Sequence, residues 1–213
     1  MMQSSFSKKY IEVGLDEVGR GCLAGSVVAA AVILPPDFTH STLTDSKRLS
    51  EKERKELEND IKKSAWAWAI GEASVEEIDT YNILNASILA MHRALDKIFE
   101  QNSIIPELIL VDGNRFKPYV PINTKNHFLP YQCVVKGDAK FYAIAAASVL
   151  AKNYRDAQME QLAELFPQYH WHKNVGYPTT KHKEALKLYG LTEHHRKTFK
   201  PCVEVRNFLE KSR

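Results

Sequence analysis

The segment from residue 13 to residue 21 constrains the fold more than any other part of the chain. Its first apolar residues alternate with other side chains, as they do in a strand with one buried face. The strand reaches two adjacent acids, Asp16 and Glu17, and a Gly-Arg-Gly turn at 19–21 then leads into the apolar run 27–34. The pattern predicts a β-hairpin-like pair with acidic side chains beside a glycine-rich turn.

Strand-like and helix-like patterns alternate along the rest of the chain. Capping-box spacing at Ser50–Glu53 and at Ser74–Glu77 predicts the starts of two helices. Further strands are predicted over 65–70, 108–111 and 133–135, and further helices after residue 138 and near 181–189. The helix after residue 138 begins with small residues, which let a helix sit close to a sheet. This alternation predicts a mixed α/β domain with a C-terminal helical appendage.

The size and charge of the chain limit the classes of protein to which it can belong. Its 213 residues suit one large domain or a domain with a small appendage, and its net charge of +3 only weakly indicates a polyanionic partner. Three cysteines at unrelated spacings predict a reducing compartment and offer no zinc pattern. The N-terminus lacks the apolar core of a signal peptide, and the run 27–34 is too short to span a bilayer. We therefore expect a cytoplasmic protein with no membrane partner.

Acids also follow two later strands. Asp112 ends the run 108–111 and Asp138 follows the run 133–135, so carboxylates from several strands can converge. Two carboxylates about 4 Å apart repel by roughly 4 kcal/mol at an effective dielectric of ~20, so such a cluster needs cations. Mg2+ and Mn2+ prefer oxygen ligands, and two such ions can clamp the attacking and leaving oxygens of a phosphodiester. The acids therefore predict a metal-dependent nuclease.

A simpler interpretation of each acid remains open. An Asp-Gly pair marks a turn, so any one of these acids taken alone could be a solvated turn residue. Neighbouring side chains on a regular strand point to opposite faces, so Asp16 and Glu17 reach one site only where the strand ends or is distorted. Four acids in predicted helices are expected to be ordinary surface or ion-pair residues: Asp60, Asp79, Asp96 and Asp156.

Seven segments carry a resemblance to a known family. They are Gly-Leu-Asp-Glu-Val-Gly-Arg-Gly at 14–21, Asp-Ser-Lys-Arg-Leu at 45–49, Val-Asp-Gly-Asn-Arg at 111–115, Lys-Gly-Asp-Ala at 136–139, Ala-Ala-Ala-Ser-Val-Leu-Ala-Lys at 145–152, Asn-Val-Gly-Tyr-Pro-Thr at 174–179 and His-Arg-Lys-Thr-Phe at 195–199. In this order, over nearly the whole chain, they resemble type 2 ribonuclease H, the bacterial ribonuclease HII family. Cys22 and Ser26 depart from the family, which usually has prolines at these positions, and the loop 116–132 is longer than expected.

The resemblance implies a fold, a reaction and a cofactor. Residues 1–165 would form a ribonuclease H-like catalytic domain, a mixed central sheet flanked by helices, and residues 166–213 a C-terminal helical substrate-binding region. The reaction would be hydrolysis of the RNA strand of RNA–DNA hybrids and incision 5′ to single ribonucleotides embedded in duplex DNA. The products would carry 3′-hydroxyl and 5′-phosphate ends. The cofactor would be Mg2+ or Mn2+, and we expect a monomer.

The resemblance also assigns roles at the catalytic centre. The catalytic and metal-binding carboxylates would be Asp16, Glu17, Asp112 and Asp138. The turn that reads the ribose 2′-hydroxyl through backbone groups would consist of Gly19, Arg20 and Gly21. Glycine suits this turn because it lets the backbone approach the sugar closely. The 2′-hydroxyl is the group that separates RNA from DNA at a given position.

Other residues are implied to contact the substrate. Tyr177 would stack on the sugar that follows the ribonucleotide; without the resemblance, a core aromatic with a hydrogen-bonded hydroxyl would be expected there. The contacts to the substrate backbone would come from Ser46, Lys47, Arg196 and Lys197. His182 is expected to support the segment of Tyr177. The paired histidines, at 170 and 172 and at 194 and 195, have no cysteines near them, so we expect surface or hydrogen-bonding roles rather than zinc.

Two other classes of function remain open at this stage. A non-catalytic module that binds hybrids would keep the basic loops but has no reason to gather four acids beside a phosphodiester. A phosphotransferase of the sugar-kinase or actin type also begins with a strand-end acid and a phosphate-binding hairpin. Such an enzyme needs two domains around a nucleotide cleft, for which 213 residues are few.

Overall fold

The structure is a computed structural model and describes residues 2–43, 49–101, 104–121 and 127–211. Its strands are β1 (Glu12–Val18), β2 (Val27–Ile33), β3 (Ala67–Ala73), β4 (Leu108–Asp112) and β5 (Tyr131–Val134). Its α-helices are α1 (Glu51–Ser64), α2 (Val75–Gln101), α3 (Tyr142–Leu165), α4 (Trp171–Asn174), α5 (Thr180–Tyr189) and α6 (Lys200–Lys211). The five strands form one sheet in the order β3-β2-β1-β4-β5.

The pairing of the strands confirms the predicted mixed sheet. β1 pairs antiparallel with β2, which ends at Ile33, two residues before Pro35, the first of two consecutive prolines. β3 adds antiparallel to β2, whereas β4 and β5 add in parallel on the other side of β1. Because β1, β4 and β5 run in one direction, their carboxyl ends meet at the same edge of the sheet. We call this the acidic edge, since it carries Asp16, Glu17 and Asp112.

Both predicted capping boxes form. The Ser50 hydroxyl accepts the Glu53 N–H at 3.3 Å, and the Glu53 carboxylate accepts the Ser50 N–H at 2.7 Å. The same exchange joins Ser74 and Glu77, at 3.2 and 2.9 Å. α2 then bends at Asn82, where φ is 65°, and the Asn82 side chain accepts N–H groups of the following turn. The capping box at Ser74–Glu77 therefore starts a short first part of α2, and the longer part of the helix follows this bend.

Helices cover both faces of the sheet, and α3 lies very close to its centre. α2 packs on one face and α1 and α3 pack on the other. A Cβ added to Gly14 of β1 would lie 2.3 Å from the backbone carbonyl carbon of Ala143 in α3. The small residues of α3 therefore allow the close approach that their sequence predicted. Asp156 of α3 is the expected ion-pair residue, bonded to Arg54 at 3.0 Å and to Lys152 at 2.6 Å.

The C-terminal part of the chain is helical, as predicted, and packs against the start of the chain. Trp171, Leu186 and Cys202 share a hydrophobic cluster with Leu23 and Ala24, which follow the glycine-rich turn. This contact brings the C-terminal helices next to the acidic edge. None of the helices within the described ranges is long and apolar enough to cross a membrane.

The contact between β1 and α3 generates a stability prediction. Gly14→Ala should destabilise the fold by about 1–3 kcal/mol, because its methyl group meets the backbone of Ala143, which no rotamer change can move away. Gly21→Ala is the matched control, since its methyl group would meet nothing nearer than a Tyr177 ring carbon at 3.8 Å. Urea unfolding of both variants checks the prediction, and equal losses of unfolding free energy would contradict it.

Candidate active site

The acidic edge brings together the carboxylates that the sequence placed at three strand ends. Asp16 and Glu17 lie in the last three residues of β1, and Asp112 is the last residue of β4. Leu15 pairs with Val111 in the parallel register, so the next residues, Asp16 and Asp112, are neighbours across the two strands. Asp138 follows β5 in a short 3₁₀ turn, Gly137–Ala139, and is almost completely buried.

Burial and neighbouring negative charge raise the pKa of both β1 acids. Burial raises the pKa of Asp16 well above its usual range, and the charges of Glu17, Asp112 and Asp138 raise it further, while a hydrogen bond with Ser148 opposes them. Burial also raises the pKa of Glu17, which Arg20 partly offsets and Asp112 increases. Asp112 therefore acts on both β1 acids, although neighbouring side chains on a regular strand were expected to diverge. The site holds more negative charge than it readily stabilises.

Backbone hydrogen bonds fix the positions of these acids. Asp112 accepts the Gly137 N–H at 2.7 Å, which ties the turn that carries Asp138 to the end of β4. Asp16 accepts the N–H of Glu17 at 2.8 Å. Arg20 donates to the Glu17 carboxylate at 2.9 Å, so the turn and the acidic edge are joined by an ion pair. The carboxylates are thus held by the ends of their own strands and by the turn that follows.

The donor set suits a hard divalent cation. All four side chains offer carboxylate oxygens, the ligands that Mg2+ and Mn2+ prefer, and a cation would offset the repulsion that raises the pKa of Asp16. In the part of the chain that the structure describes, no three His, Cys, Asp or Glu side chains are spaced to hold a metal ion as they stand. The acids would therefore have to draw closer around a bound ion.

The glycine-rich turn lies against Tyr177. A Cβ added to Gly21 would lie 3.8 Å from a ring carbon of Tyr177, and the Tyr177 hydroxyl hydrogen-bonds the Cys22 thiol. Tyr177 keeps 40% of its surface exposed, so its ring is open to a ligand. Cys22, at a position where the family usually has proline, thus takes part in orienting the tyrosine.

The structure gives a reason for glycine at position 19 besides the expected approach to a sugar. Gly19 has a φ of 92°, and a Cβ added there would lie 2.2 Å from Nε of Arg155 on α3. The space beside Gly19 is therefore filled by a side chain of the protein itself. Close approach to a sugar remains the prediction for Gly21, which has no such neighbour within the described ranges.

Arg196 occupies a different place from the one expected for a phosphate contact. Its side chain is 0% exposed, and its guanidinium donates to the carbonyls of Arg20, Gly25 and Ser26 at 2.9–3.1 Å. Burial lowers its pKa to about 10. The expected direct contact with phosphate is thus replaced by a positioning role, in which Arg196 holds both ends of the segment 20–26. Such long-range contacts leave no signal in sequence spacing.

Of the other residues expected to contact the substrate backbone, one lies within the described residues and two lie outside them. Lys197 is exposed, and its backbone N–H donates to Asp79 at 2.9 Å. Asp79 also accepts the N–H and hydroxyl of Thr198, so it anchors this loop rather than being an ordinary surface acid. Ser46 and Lys47 lie outside the described residues.

Two buried imidazoles, His182 and His195, are hydrogen-bonded to each other. His182 supports the segment of Tyr177, as expected. His182 Nδ1 donates to the Tyr177 carbonyl at 2.9 Å, and its Nε2 accepts from Trp171 at 3.1 Å and lies 3.2 Å from Nε2 of His195. His195 Nδ1 accepts the Thr192 N–H at 2.9 Å, so its proton lies on Nε2 and points to His182. These partners require both rings to be neutral, and burial lowers the pKa of His195 to about 3.

The chain is similar to known proteins in sequence and in fold. A family model described as Ribonuclease HII matches residues 13–202. The chain is 57% identical over 189 residues to the ribonuclease HII of Parabacteroides distasonis, covering 89% of each protein. It is similar in structure to the ribonuclease H2 from Pyrococcus horikoshii OT3, with a TM-score of 0.76 at 22% identity over 94% of this chain and 99% of that one. It is also similar to Bst-RNase HIII in complex with Mn2+, with a TM-score of 0.68 at 18% identity over 94% of this chain and 70% of that one. The predicted ribonuclease H-like fold is confirmed.

The buried imidazoles make stability depend on pH. In the folded protein the pKa of His195 is about 3, below its usual value of about 6.5. As the pH falls below about 6.5, His195 is therefore protonated in the unfolded chain but stays neutral in the folded protein. Between pH 7.5 and pH 5.0 this residue should cost about 2 kcal/mol of unfolding free energy.

Urea unfolding at the two pH values, compared between the wild type and His195→Gln, isolates this cost from that of other titrating groups. His172→Gln, which removes an exposed imidazole, should keep the wild-type dependence on pH. A His195→Gln variant that loses as much stability as the wild type on acidification would disprove the effect.

Proposed function

Because the chain belongs to the ribonuclease HII family, we propose that it incises duplex DNA 5′ to single embedded ribonucleotides. Proteins of this family are metal-dependent endoribonucleases that act on RNA–DNA hybrids, and this chain is one of them. The observation that carries the finer proposal is that Tyr177 lies against the Gly-Arg-Gly turn, which an ion pair between Arg20 and Glu17 joins to the acidic edge. A single ribose seated between them would have its 5′ phosphate near the carboxylates.

We infer that the four acids hold two divalent cations, Mg2+ or Mn2+. Asp16, Asp112 and Asp138 would chiefly hold one ion, and Asp16 with Glu17 the other. Support comes from the all-oxygen donor set, from the burial and neighbouring negative charges that raise the pKa of Asp16, and from the similar fold of a ribonuclease HIII in complex with Mn2+. When bound, such ions supply an activated water and stabilise the departing oxygen of a phosphodiester.

The residues of the chain supply recognition and orientation. The backbone of the turn, Gly19 to Gly21, reads the ribose 2′-hydroxyl, which deoxyribose lacks. The Tyr177 ring stacks on the sugar that follows, and its carbonyl and hydroxyl are held by His182 and Cys22. Arg20, paired with Glu17, keeps the turn in register with the acidic edge. Breakage of the bond to the 3′ oxygen leaves 3′-hydroxyl and 5′-phosphate ends.

Basic side chains would contact the substrate backbone. Lys197 is exposed on the loop anchored by Asp79, and Ser46 and Lys47 stay predictions because they lie outside the described residues. Residues 166–213 would form the substrate-binding region beside a catalytic domain of residues 1–165. The protein would act as a monomer in the cytoplasm. Its three free cysteines, Cys22, Cys133 and Cys202, are compatible with that reducing compartment.

The direct test is incubation with labelled duplex DNA that carries one ribonucleotide, with Mg2+ or Mn2+ and with EDTA. We expect one cut on the 5′ side of the ribonucleotide when a metal is present and no cut in EDTA. Asp112→Asn should lower the rate by at least about 100-fold, since the amide removes the charge yet can still accept the Gly137 N–H.

Asp96→Asn is the matched control, because Asp96 lies on α2 and is also held by a hydrogen bond, from the Tyr119 hydroxyl at 2.8 Å. It should cleave at the wild-type rate. An uncut single-ribonucleotide duplex alongside a cleaved long hybrid would refute the proposed incision, and an Asp112→Asn variant as fast as the control would refute the assignment of Asp112.

A further inference from the structure

Arg155 is a buried cation whose side-chain hydrogen bonds run to the segment that follows the Gly-Arg-Gly turn and to Val175, two residues before Tyr177. It stands on α3, is 1% exposed, and plays no part in the chemistry at the acidic edge described above. Its Nε donates to the Ser26 carbonyl at 3.1 Å and its Nη2 to the Ala24 carbonyl at 2.9 Å. Its Nη1 donates to the Val175 carbonyl at 2.8 Å. One guanidinium therefore bridges the segment after the turn and the segment before Tyr177.

Three glycines lie beside the Arg155 side chain, and Gly19 contacts it most closely. A Cβ added to Gly19 would lie 2.2 Å from Arg155 Nε. One added to Gly25 or to Gly176 would lie 3.3 Å from Arg155 Nη2, although its nearest neighbour would be Met159 Sδ at 2.6 Å or the Ala24 carbonyl oxygen at 2.8 Å, respectively. All three have positive φ, at 92°, 81° and 86°, a conformation that favours glycine. The Gly19 backbone thus packs directly on the Arg155 side chain, and Gly25 and Gly176 lie close to its guanidinium.

The geometry of these hydrogen bonds suits arginine and cannot be reproduced by lysine. Each hydrogen bond runs to a carbonyl, and the three carbonyls lie in different directions around a planar group. Arginine offers five donors in a fixed fork, whereas lysine offers a compact charge that cannot span these acceptors. A buried cation is costly unless its donors are satisfied in good geometry, so the site depends on this arrangement being kept.

We propose that Arg155 is a positioning residue that sets the distance between the Gly-Arg-Gly turn and Tyr177 and thereby determines discrimination between ribonucleotide and deoxyribonucleotide. The inference rests on the proposed function, in which the turn reads the 2′-hydroxyl and Tyr177 stacks on the next sugar. Because Arg155 holds the carbonyls of Ala24, Ser26 and Val175 together, its loss lets the two segments move apart. A ribose then contacts one of them at a time.

The test compares the two affinities that define discrimination. One is the KM for cleavage of a duplex that carries a single ribonucleotide, and the other is the inhibition constant of the same duplex made entirely of DNA. For Arg155→Lys we expect the ratio of inhibition constant to KM to fall about tenfold, because the ribose-specific contact weakens while contacts to the phosphate backbone remain. Both constants are concentrations of substrate or competitor, so a preparation with fewer folded molecules lowers the rate without moving their ratio.

The control is Arg54→Lys, which alters another buried arginine packed on α3. Arg54 bonds Asn153, Asp156 and the Leu49 carbonyl and, within the described residues, makes no contact with the turn or with Tyr177. The Arg54→Lys variant should unfold at a lower urea concentration than the wild type but keep the wild-type ratio of inhibition constant to KM. If Arg155→Lys also keeps that ratio, its role is purely structural and the inference is overturned. A wild-type protein whose ratio is close to one would instead overturn the proposed function.

Discussion

The constraint on which this site depends is the repulsion among carboxylates held at one end of a buried sheet. Three parallel strands deliver Asp16, Asp112 and Asp138 to the same edge, and α3 covers them so closely that β1 needs glycine at position 14. Burial and neighbouring charge both oppose ionisation of Asp16. A fold built for stability alone would not gather these groups, whereas a divalent cation turns the same arrangement into a binding site.

The second requirement is a rigid frame for ribose recognition, and the C-terminal region supplies much of it. Arg196 holds the carbonyls of the segment that follows the turn, Arg155 joins that segment to the one before Tyr177, and His182 holds the tyrosine carbonyl. Two of these three residues lie beyond residue 165. The helices after α3 are therefore part of the scaffold of the site.

The sequence predicted the features that depend on local rules. The hairpin-like pair, both capping boxes, the small residues of α3 and the acids at strand ends follow from periodicity, spacing and turn chemistry. The reasons for glycine at position 19 and for the burial of Arg196 depend on contacts between segments more than 100 residues apart, which no local pattern records. One signal did exist for Arg155, since it falls seven residues after Ser148 and four before Met159, on the buried face of α3.

The stability of metal-free protein tests the central claim most directly. If repulsion at the acidic edge is what a cation relieves, Asp16→Asn in EDTA should be more stable than the wild type by at least about 1 kcal/mol, because the buried charge is gone. Addition of Mn2+ should then stabilise the wild type and leave the variant unchanged in urea unfolding. A metal-free variant less stable than the wild type, with an undiminished response to Mn2+, would contradict the account.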